Sequence, residues 1–501
     1  MNKHIMRMFC LLLVLSMVFC LVACGGNEES SQPTEASETS TEVSVDPEQE
    51  YKDANGNYKT KLGVLDEYKG KTFSILVVGE KSGTYQSDDF STEAGSGGID
   101  YGDTYYNEVL ARNEKVEETY EIELDLHKLN DTFNEARNDA MTGTHLYDAM
   151  ILNVGGAASL AQEGLLINLF DLENIDTLAP WWDQRANAAY SVANKLYFTT
   201  GDITIMNKVN TWSILFNKDM VKNNNLESPY DLYEDGTWTF DKMCEMAATV
   251  NTATSPEQIE DPSVTYGLLS AYGDIYRIYG GSGETLCQKD SKDEPVIRFG
   301  VDESSINNTI KILEKLNNNA WNVYAEKTAD PWGKTFAAFY DGRVLFRPSG
   351  FSATTKLRAL ANIEFGIVPM PKINNDQEDY WTVTDGSFAA CISKNCADPE
   401  FSAYMLDAFA AEAKNFITPA YVEANLKWKA LRDDESAEIL DYIFNHINYD
   451  VAAVYNFGSI TNLFSNLAKA SSTDVVSSFD AIKTEVESAI EDVIINYQSD
   501  T

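Results

Sequence analysis

The strongest constraint on the fold is an ordered alternation of strand-like and helix-like segments between Phe73 and Gly156. Phe73-Ser74-Ile75-Leu76-Val77-Val78 is a short apolar run ending at Gly79, the pattern of a strand buried on both faces. Tyr106, Val109, Leu110, Val116 and Tyr120 follow at helical spacing. Ile122, Leu124 and Leu126 then alternate strictly, as a half-buried strand does. Asn130 or Asp131 can cap a second helix, and Ala149-Met150-Ile151-Leu152 makes a third strand closed by Asn153-Val154-Gly155-Gly156. This β-α-β-α-β order predicts an α/β fold with a parallel sheet covered by helices on both faces. Ligands of such sheets sit at the carboxyl ends of strands. The loops at 80–103 and 153–156 leave from those ends.

Ahead of this unit stands a segment of a different kind. Lys3 and Arg7 precede an apolar run from Phe9 to Val22, and Leu21-Val22-Ala23-Cys24 closes it. A basic start, an apolar middle and a small residue before the cut are the parts of a secretory signal. A Cys at the cut resembles the lipobox of bacterial lipoproteins. The run is shorter than the ~18 apolar residues of a membrane span. Residues 1–23 are therefore expected to be a signal peptide and Cys24 the lipidated residue. From Cys24 to about Pro47 the chain has no aromatic residue and is rich in Gly, Ser, Glu and Thr. Such a stretch buries too little to offset its ordering entropy. A lipid-anchored, flexible spacer is expected over 24–69, with the folded body beyond it.

That body is large enough for two lobes. The chain has 78 acidic and 38 basic residues, a formal charge of −40. Losing Lys3 and Arg7 with the leader makes it −42. That sign excludes phosphate-backbone recognition, so no nucleic acid is expected, and contact with membrane is expected through the lipid alone. His127, His145 and His446 are the histidines of the body; none forms a metal-ligand spacing, and no metal or cofactor is expected. Cys391 and Cys396 either pair or remain buried thiols, and Cys244 and Cys287 complete the body's cysteines.

Enzyme signatures are missing from the chain. Gly95-Ser96-Gly97-Gly98 lacks the Gly-Lys-Ser/Thr of a phosphate loop, and no G-x-S-x-G elbow occurs. Asp53-Ala54-Asn55-Gly56-Asn57 suggests a calcium loop until its twelfth position, which is Val64 rather than Glu. Among 78 acidic residues, finding two that could act as a glycosidase pair carries no information. No enzyme activity is expected.

A series of further motifs is more specific in combination than singly. Tyr147-Asp148 precedes an apolar strand, and Gly164-Leu165-Leu166 follows. Phe216-Asn217-Lys218-Asp219 comes next, with a later Thr237-Trp238. Ala337-Ala338-Phe339-Tyr340-Asp341-Gly342-Arg343-Val344 and Phe365-Gly366-Ile367-Val368-Pro369-Met370-Pro371 continue the order, and Asp398-Pro399-Glu400 opens a helix. Over about residues 70–500 this order resembles the extracellular solute-binding proteins, the maltose-binding-protein-like receptors of sugar ABC importers. The resemblance implies a two-lobed, type II periplasmic-binding-protein-like fold with a hinge and a ligand cleft between lobes. Lobe I would take 70–207 plus 388–449, and lobe II 208–387 plus 450–501. It implies a monomeric receptor on the outer face of the cell membrane, delivering a soluble carbohydrate, an oligosaccharide, to ABC permease subunits. Glycan capture without transport, or a non-sugar polar solute, remain the alternatives.

Sugar sites are aromatic platforms rimmed by a few fixed polar groups. By the resemblance, Asn210 falls where the family's maltose receptor has an acidic ligand, and Phe351 and Phe457 fall near its stacking aromatics. Leu152 and Gly155 replace two of its sugar-contacting residues, which speaks against maltose itself. Position and chemistry add Tyr85, Asp88 and Asp89 on the first loop, Asn153 at a strand end, and Asp202 near the crossing. Trp212, Trp332 and Trp381 lie beside polar or turn segments. Arg347 and Ser349, in Arg347-Pro348-Ser349-Gly350, follow an apolar strand and are expected to face the cleft.

Overall fold

The computed structural model describes residues 48–79, 86–91, 101–354, 357, 363–431 and 433–499. The expected signal peptide, Cys24 and the spacer to Pro47 lie outside the described residues, as does Tyr85.

The apolar run at Phe73 becomes strand β1 (Thr72–Val78), and helix α1 (Asp103–Tyr120) follows it. Helix α1 buries Tyr105, Tyr106, Val109, Val116 and Tyr120 and leaves Leu110 exposed. Strand β2 (Glu123–Leu129), helix α2 (Thr132–Thr142), strand β3 (Ala149–Asn153) and helix α3 (Val154–Gln162) complete the unit. Strand β1 pairs in parallel with β2 and with β3. The chain then adds β4 (Phe198–Thr199) and leaves for a second sheet. That sheet takes β5 (Trp212–Asn217), β6 (Tyr266–Ser270), β9 (Asn322–Tyr324), β10 (Val344–Gly350) and β11 (Phe365–Val368). A small hairpin of β7 (Cys287–Lys289) and β8 (Pro295–Ile297) stands apart. Finally β12 (Phe388–Cys391) returns to the first sheet.

Among the described residues the strand orders are β2-β1-β3-β12-β4 and β11-β5-β10-β6-β9. The first sheet is mixed rather than wholly parallel. Strand β12 arrives from the other lobe and runs antiparallel to both β3 and β4. The segments that cross between the sheets pair with each other: Thr211 bridges Thr384, Trp212 donates its N–H to the Val383 carbonyl, and Asp385 donates to Asn210.

Three helices beside the second sheet and the return strand matter below: α4 (Asp274–Gly281), α5 (Gly333–Tyr340) and α6 (Pro399–Asn415). Asp398 caps α6 by accepting from the Phe401 N–H at 3.1 Å, with Pro399 in the first turn where its missing donor costs nothing.

Three expected boundaries move. Residues 48–69 are not spacer: Tyr51 sits edge-on to Trp181 at 5.4 Å, Tyr68 packs on Phe401 at 5.2 Å, and the Leu65 N–H reaches the Tyr404 hydroxyl at 3.0 Å. Buried aromatic rings supply the apolar area that the segment before Pro47 lacks. The last lobe change falls over the π-helix Ala420–Leu431 rather than at 449. Helix α7 (Asp434–Phe444) already packs on β11, where the Ile367 N–H reaches Ser436 Oγ at 3.4 Å, and Ser436 also bonds the Tyr230 hydroxyl of the second lobe at 2.7 Å. The segment 450–501, expected wholly in lobe II, is shared. Phe464 and Phe479 pack around Phe299 of the second lobe, whereas helix α8 (Lys483–Ser499) sets Tyr497 against Tyr197 of the first at 4.7 Å. Cys244, Cys287, Cys391 and Cys396 are all free thiols.

Candidate functional site

Strand β10 builds the site. It pairs with β5 along Phe346–Gly350, but its parallel pairing with β6 ends at Phe346–Leu268. The next residue due to pair is Pro348, which has no N–H to give. The two strands separate there, at the carboxyl ends of β6, β9 and β10, and a cavity of about 660 Å³ opens between them. Arg347 and Ser349 line it from β10, and Ser270 and Ala271 from the end of β6. Helix α5 contributes Gly333, Phe336 and Tyr340, which share one face at spacings of three and four. Trp212 enters from the start of β5, Trp332 from just before α5, and Asp385-Gly386 from the crossing segment. The volume suits a small organic ligand.

Two arginines dominate the walls. Arg277 of α4 lies 3.4 Å over the Trp212 ring, and its two arms reach Asp274 and Asp385, each at 2.7 Å. Arg347 lies 3.8 Å over the Phe336 ring and is 3% exposed. Among the described residues its guanidinium donates no hydrogen bond and forms no ion pair; its Nε is buried without a partner. Burial pulls this group down to about 10, against the favourable fields of Asp274, Tyr340 and Glu326. Asp274 is itself buried, and that burial raises its carboxyl despite Arg277. Both its oxygens are occupied, one by Arg277 and one by the Ala271 N–H at 2.7 Å. The Ser270 hydroxyl is a further buried polar atom without a partner among the described residues. Trp332 stands at the mouth, 55% exposed. Aromatic faces and convergent polar groups together make a surface on which a polar, ring-shaped solute can stack and be oriented.

A second cavity of about 290 Å³ adjoins the first and shares Arg277, Asp385 and Gly386 with it. Its far wall comes from both lobes, with Val154 and Tyr190 on one side and Tyr276 and Asn448 on the other.

The structure brings four of the expected site residues, Trp212, Trp332, Arg347 and Ser349, to the larger cavity. Asn210 lies at the crossing as expected, but buried, donating from Nδ2 to the Gly386 carbonyl at 2.9 Å. The others are elsewhere. Asp88 pairs with Lys128 at 2.8 Å. Asp89 is fully buried and accepts from Thr204 Oγ1 and the Ile205 N–H, both at 2.9 Å, which fastens the first loop to the crossing segment. Asn153 caps α3, accepting from the Gly155 N–H. Asp202 is held by Lys208, Lys414 and Thr418; burial opposes its ionisation, but the two ammonium groups win and keep its carboxyl below the ordinary range. Phe351 is buried against Phe444, and Phe457 is buried and stacked on Tyr455. Both are core residues because a wholly apolar ring gains more from packing than from a wet wall. Trp381 packs against His446 and under Arg185, beside a different cavity.

Asp274, Arg277, Phe336, Tyr340 and Asp385 escaped the sequence reading. One signal was present: Asp274 and Arg277 stand three apart on a helix that begins just after an apolar strand ends. Nothing in the linear pattern marks Asp385, which reaches Arg277 across more than a hundred residues.

No protein-family description matches the sequence, and no curated protein matches it. Solved structures do match in fold. Apo RafE from Streptococcus pneumoniae is 14% identical over 83% of this chain and 98% of its own, with a TM-score of 0.55. A cyclo/maltodextrin-binding protein complexed with maltotetraose is 14% identical over 87% and 98%, with a TM-score of 0.54. An ABC substrate-binding protein from Listeria monocytogenes in complex with cycloalternan is 12% identical over 84% and 99%, with a TM-score of 0.52. At such identities the likeness is one of fold: the chain has the two-lobed α/β architecture of type II binding proteins.

Proposed function

We propose that the protein is the substrate-binding lipoprotein of an ABC importer of the maltose-binding-protein-like family, capturing an oligosaccharide and delivering it to a membrane permease. The observation that carries this reading is the cavity at β10, where Trp212, Trp332, Phe336 and Tyr340 surround Arg277, Arg347 and Asp274. The fold adds support, since structures with the same architecture are described in complex with maltotetraose and with cycloalternan. The adjoining cavity gives a second ring a place beside the first, so a ligand of more than one unit is favoured. Its two-lobed wall is what closure of the lobes on a ligand would need, and such closure is a shift between populations. The sequence at Cys24 supports a lipid anchor on the outer face of the cell membrane, with the body acting as a monomer. The role is capture rather than turnover.

A thermal-shift screen of the purified protein against mono- and oligosaccharides tests the reading. A ligand at 100 times its dissociation constant stabilises by about 2.7 kcal/mol. Trp332→Ala removes an exposed ring, so it is expected to weaken a saccharide hit about tenfold while leaving the unliganded melting temperature unchanged. Silence across all sugars, with a hit among peptides or other polar solutes, would overturn the substrate class.

A further inference from the structure

We propose that the ligand is an acidic oligosaccharide, and that Arg347 binds a carboxylate carried on a ring held in the cavity between β10 and α5. The inference rests on the oligosaccharide-receptor reading above and names the chemical class of its substrate.

Arg347 and Arg277 line the same cavity yet differ in one respect. Arg277 is neutralised twice, by Asp274 and by Asp385. Arg347 has a ring beneath it and no partner among the described residues. Arg112 and Arg343 also lack an acid, but both donate to backbone carbonyls, which Arg347 does not. The acidic groups whose fields reach it form no ion pair with it among the described residues. Both oxygens of Asp274 are taken by Arg277 and by a backbone N–H. Glu326 accepts from the Tyr272 N–H at 2.9 Å through one oxygen and leaves the other buried without a partner among the described residues, and burial raises its carboxyl above the ordinary range. Asp385 is bound by the second arm of Arg277.

A buried guanidinium keeps five N–H donors and has no acceptor, so it is satisfied by an acceptor-only group with two oxygens in a plane. A carboxylate provides that through two parallel bonds. A sugar hydroxyl offers a single oxygen and a proton the guanidinium cannot use. A free inorganic anion would satisfy the charge, but it would leave most of a cavity of about 660 Å³ and the exposed Trp332 ring at its mouth without a role. A ring that bears a carboxylate uses both. The adjoining cavity, lined by Tyr190, Thr384, Asn448 and Tyr449, holds no unpaired cation and suits the hydroxyls of a neighbouring unit.

The test is calorimetric titration of the purified protein with a panel of uronic-acid oligosaccharides, the methyl ester of each, matched neutral oligosaccharides, and inorganic phosphate. Methyl esterification removes the charge and leaves the sugar intact. The expected result is at least one uronate oligomer bound about 100-fold more tightly than its own ester. Arg347→Met is expected to abolish that difference, and Arg347→Lys to restore part of it. A melting curve shows whether each variant is folded. Three results would overturn the inference: tighter binding of neutral oligosaccharides than of any uronate, uronate binding undiminished in Arg347→Met, or phosphate binding as tightly as the best uronate. The first of these leaves the oligosaccharide-receptor reading standing. Failure of every saccharide, charged and neutral, removes that reading as well.

Discussion

Arg347 should make the unliganded protein less stable than it could be, and replacing it with Met should show this. Burial lowers its guanidinium from 12.5 to about 10. For a base, a lowered folded-state pKa means that folding disfavours the charged form. The penalty is present in full below about pH 10 and fades only as the pH rises towards the unfolded value. At 1.36 kcal/mol per unit, the shift corresponds to about 3 kcal/mol at pH 7. Met keeps most of the apolar stem against Phe336 but loses a cation–π contact of about 1–2 kcal/mol. Arg347→Met is therefore expected to stabilise the unliganded protein by about 1–2 kcal/mol at pH 7, read as a higher urea midpoint by tryptophan fluorescence. Arg112 supplies the control. Burial lowers it to about 10 as well, yet it donates to the carbonyls of Asp89 and Phe409 and to Asn113 Oδ1 at 2.9 Å. Arg112→Met leaves those acceptors without their donor, and a loss of about 3–5 kcal/mol is expected. If Arg347→Met were destabilising as well, by more than about 1 kcal/mol, its guanidinium would be a structural anchor and the reasoning from an unpaired charge would fail.

Two further outcomes follow from buried groups away from the cavity. Burial lifts the Asp407 carboxyl to about 7, although the indole N–H groups of Trp181 and Trp182 donate to it at 2.7 and 3.0 Å. A raised folded-state pKa on an acid costs nothing below about pH 4 and reaches about 4 kcal/mol above pH 7. The stability difference between Asp407→Asn and the parent should therefore grow in favour of the variant between pH 4 and pH 7; a difference flat with pH would sink the assignment. Phe457→Ala should lower stability by about 3–5 kcal/mol yet leave saccharide affinity within about twofold, because its ring packs on Tyr455 and not on the cavity wall. A tenfold loss of affinity in that folded variant would return Phe457 to the site.

Local pattern carried much of the architecture. The runs at Phe73, Ser213 and Phe365 are strands β1, β5 and β11, and Asp398-Pro399-Glu400 does open a helix. These are short-range signals, set by apolar spacing and by backbone chemistry at single positions. Four of the cavity residues were legible for a similar reason: tryptophans beside polar turns, and an arginine next to Pro348, are locally odd. What stayed hidden depends on distant partners. Asp88 and Asp89 look like a loop wall until Lys128 and the segment at Thr204 are seen to claim them. The Ala420–Leu431 crossing has no mark of its own, because α7 is tied to the second lobe by the bond of Ser436 to Tyr230, some two hundred positions away in sequence.

The four free thiols have a consequence for how the described body withstands oxidants and reductants. Attack on a disulfide or an oxidant needs the thiolate, and burial suppresses it: Cys244 is pushed up to about 12, and Cys287, Cys391 and Cys396 are all raised. Cys396, the least buried of them, also lies 3.1 Å from the Ser402 hydroxyl. At neutral pH these sulfurs are poor nucleophiles, slow to scramble and slow to capture soft metal ions. The described fold reaches its closed core by packing alone. It requires no oxidising catalyst to mature, and reductants in its surroundings have no covalent staple in it to cut.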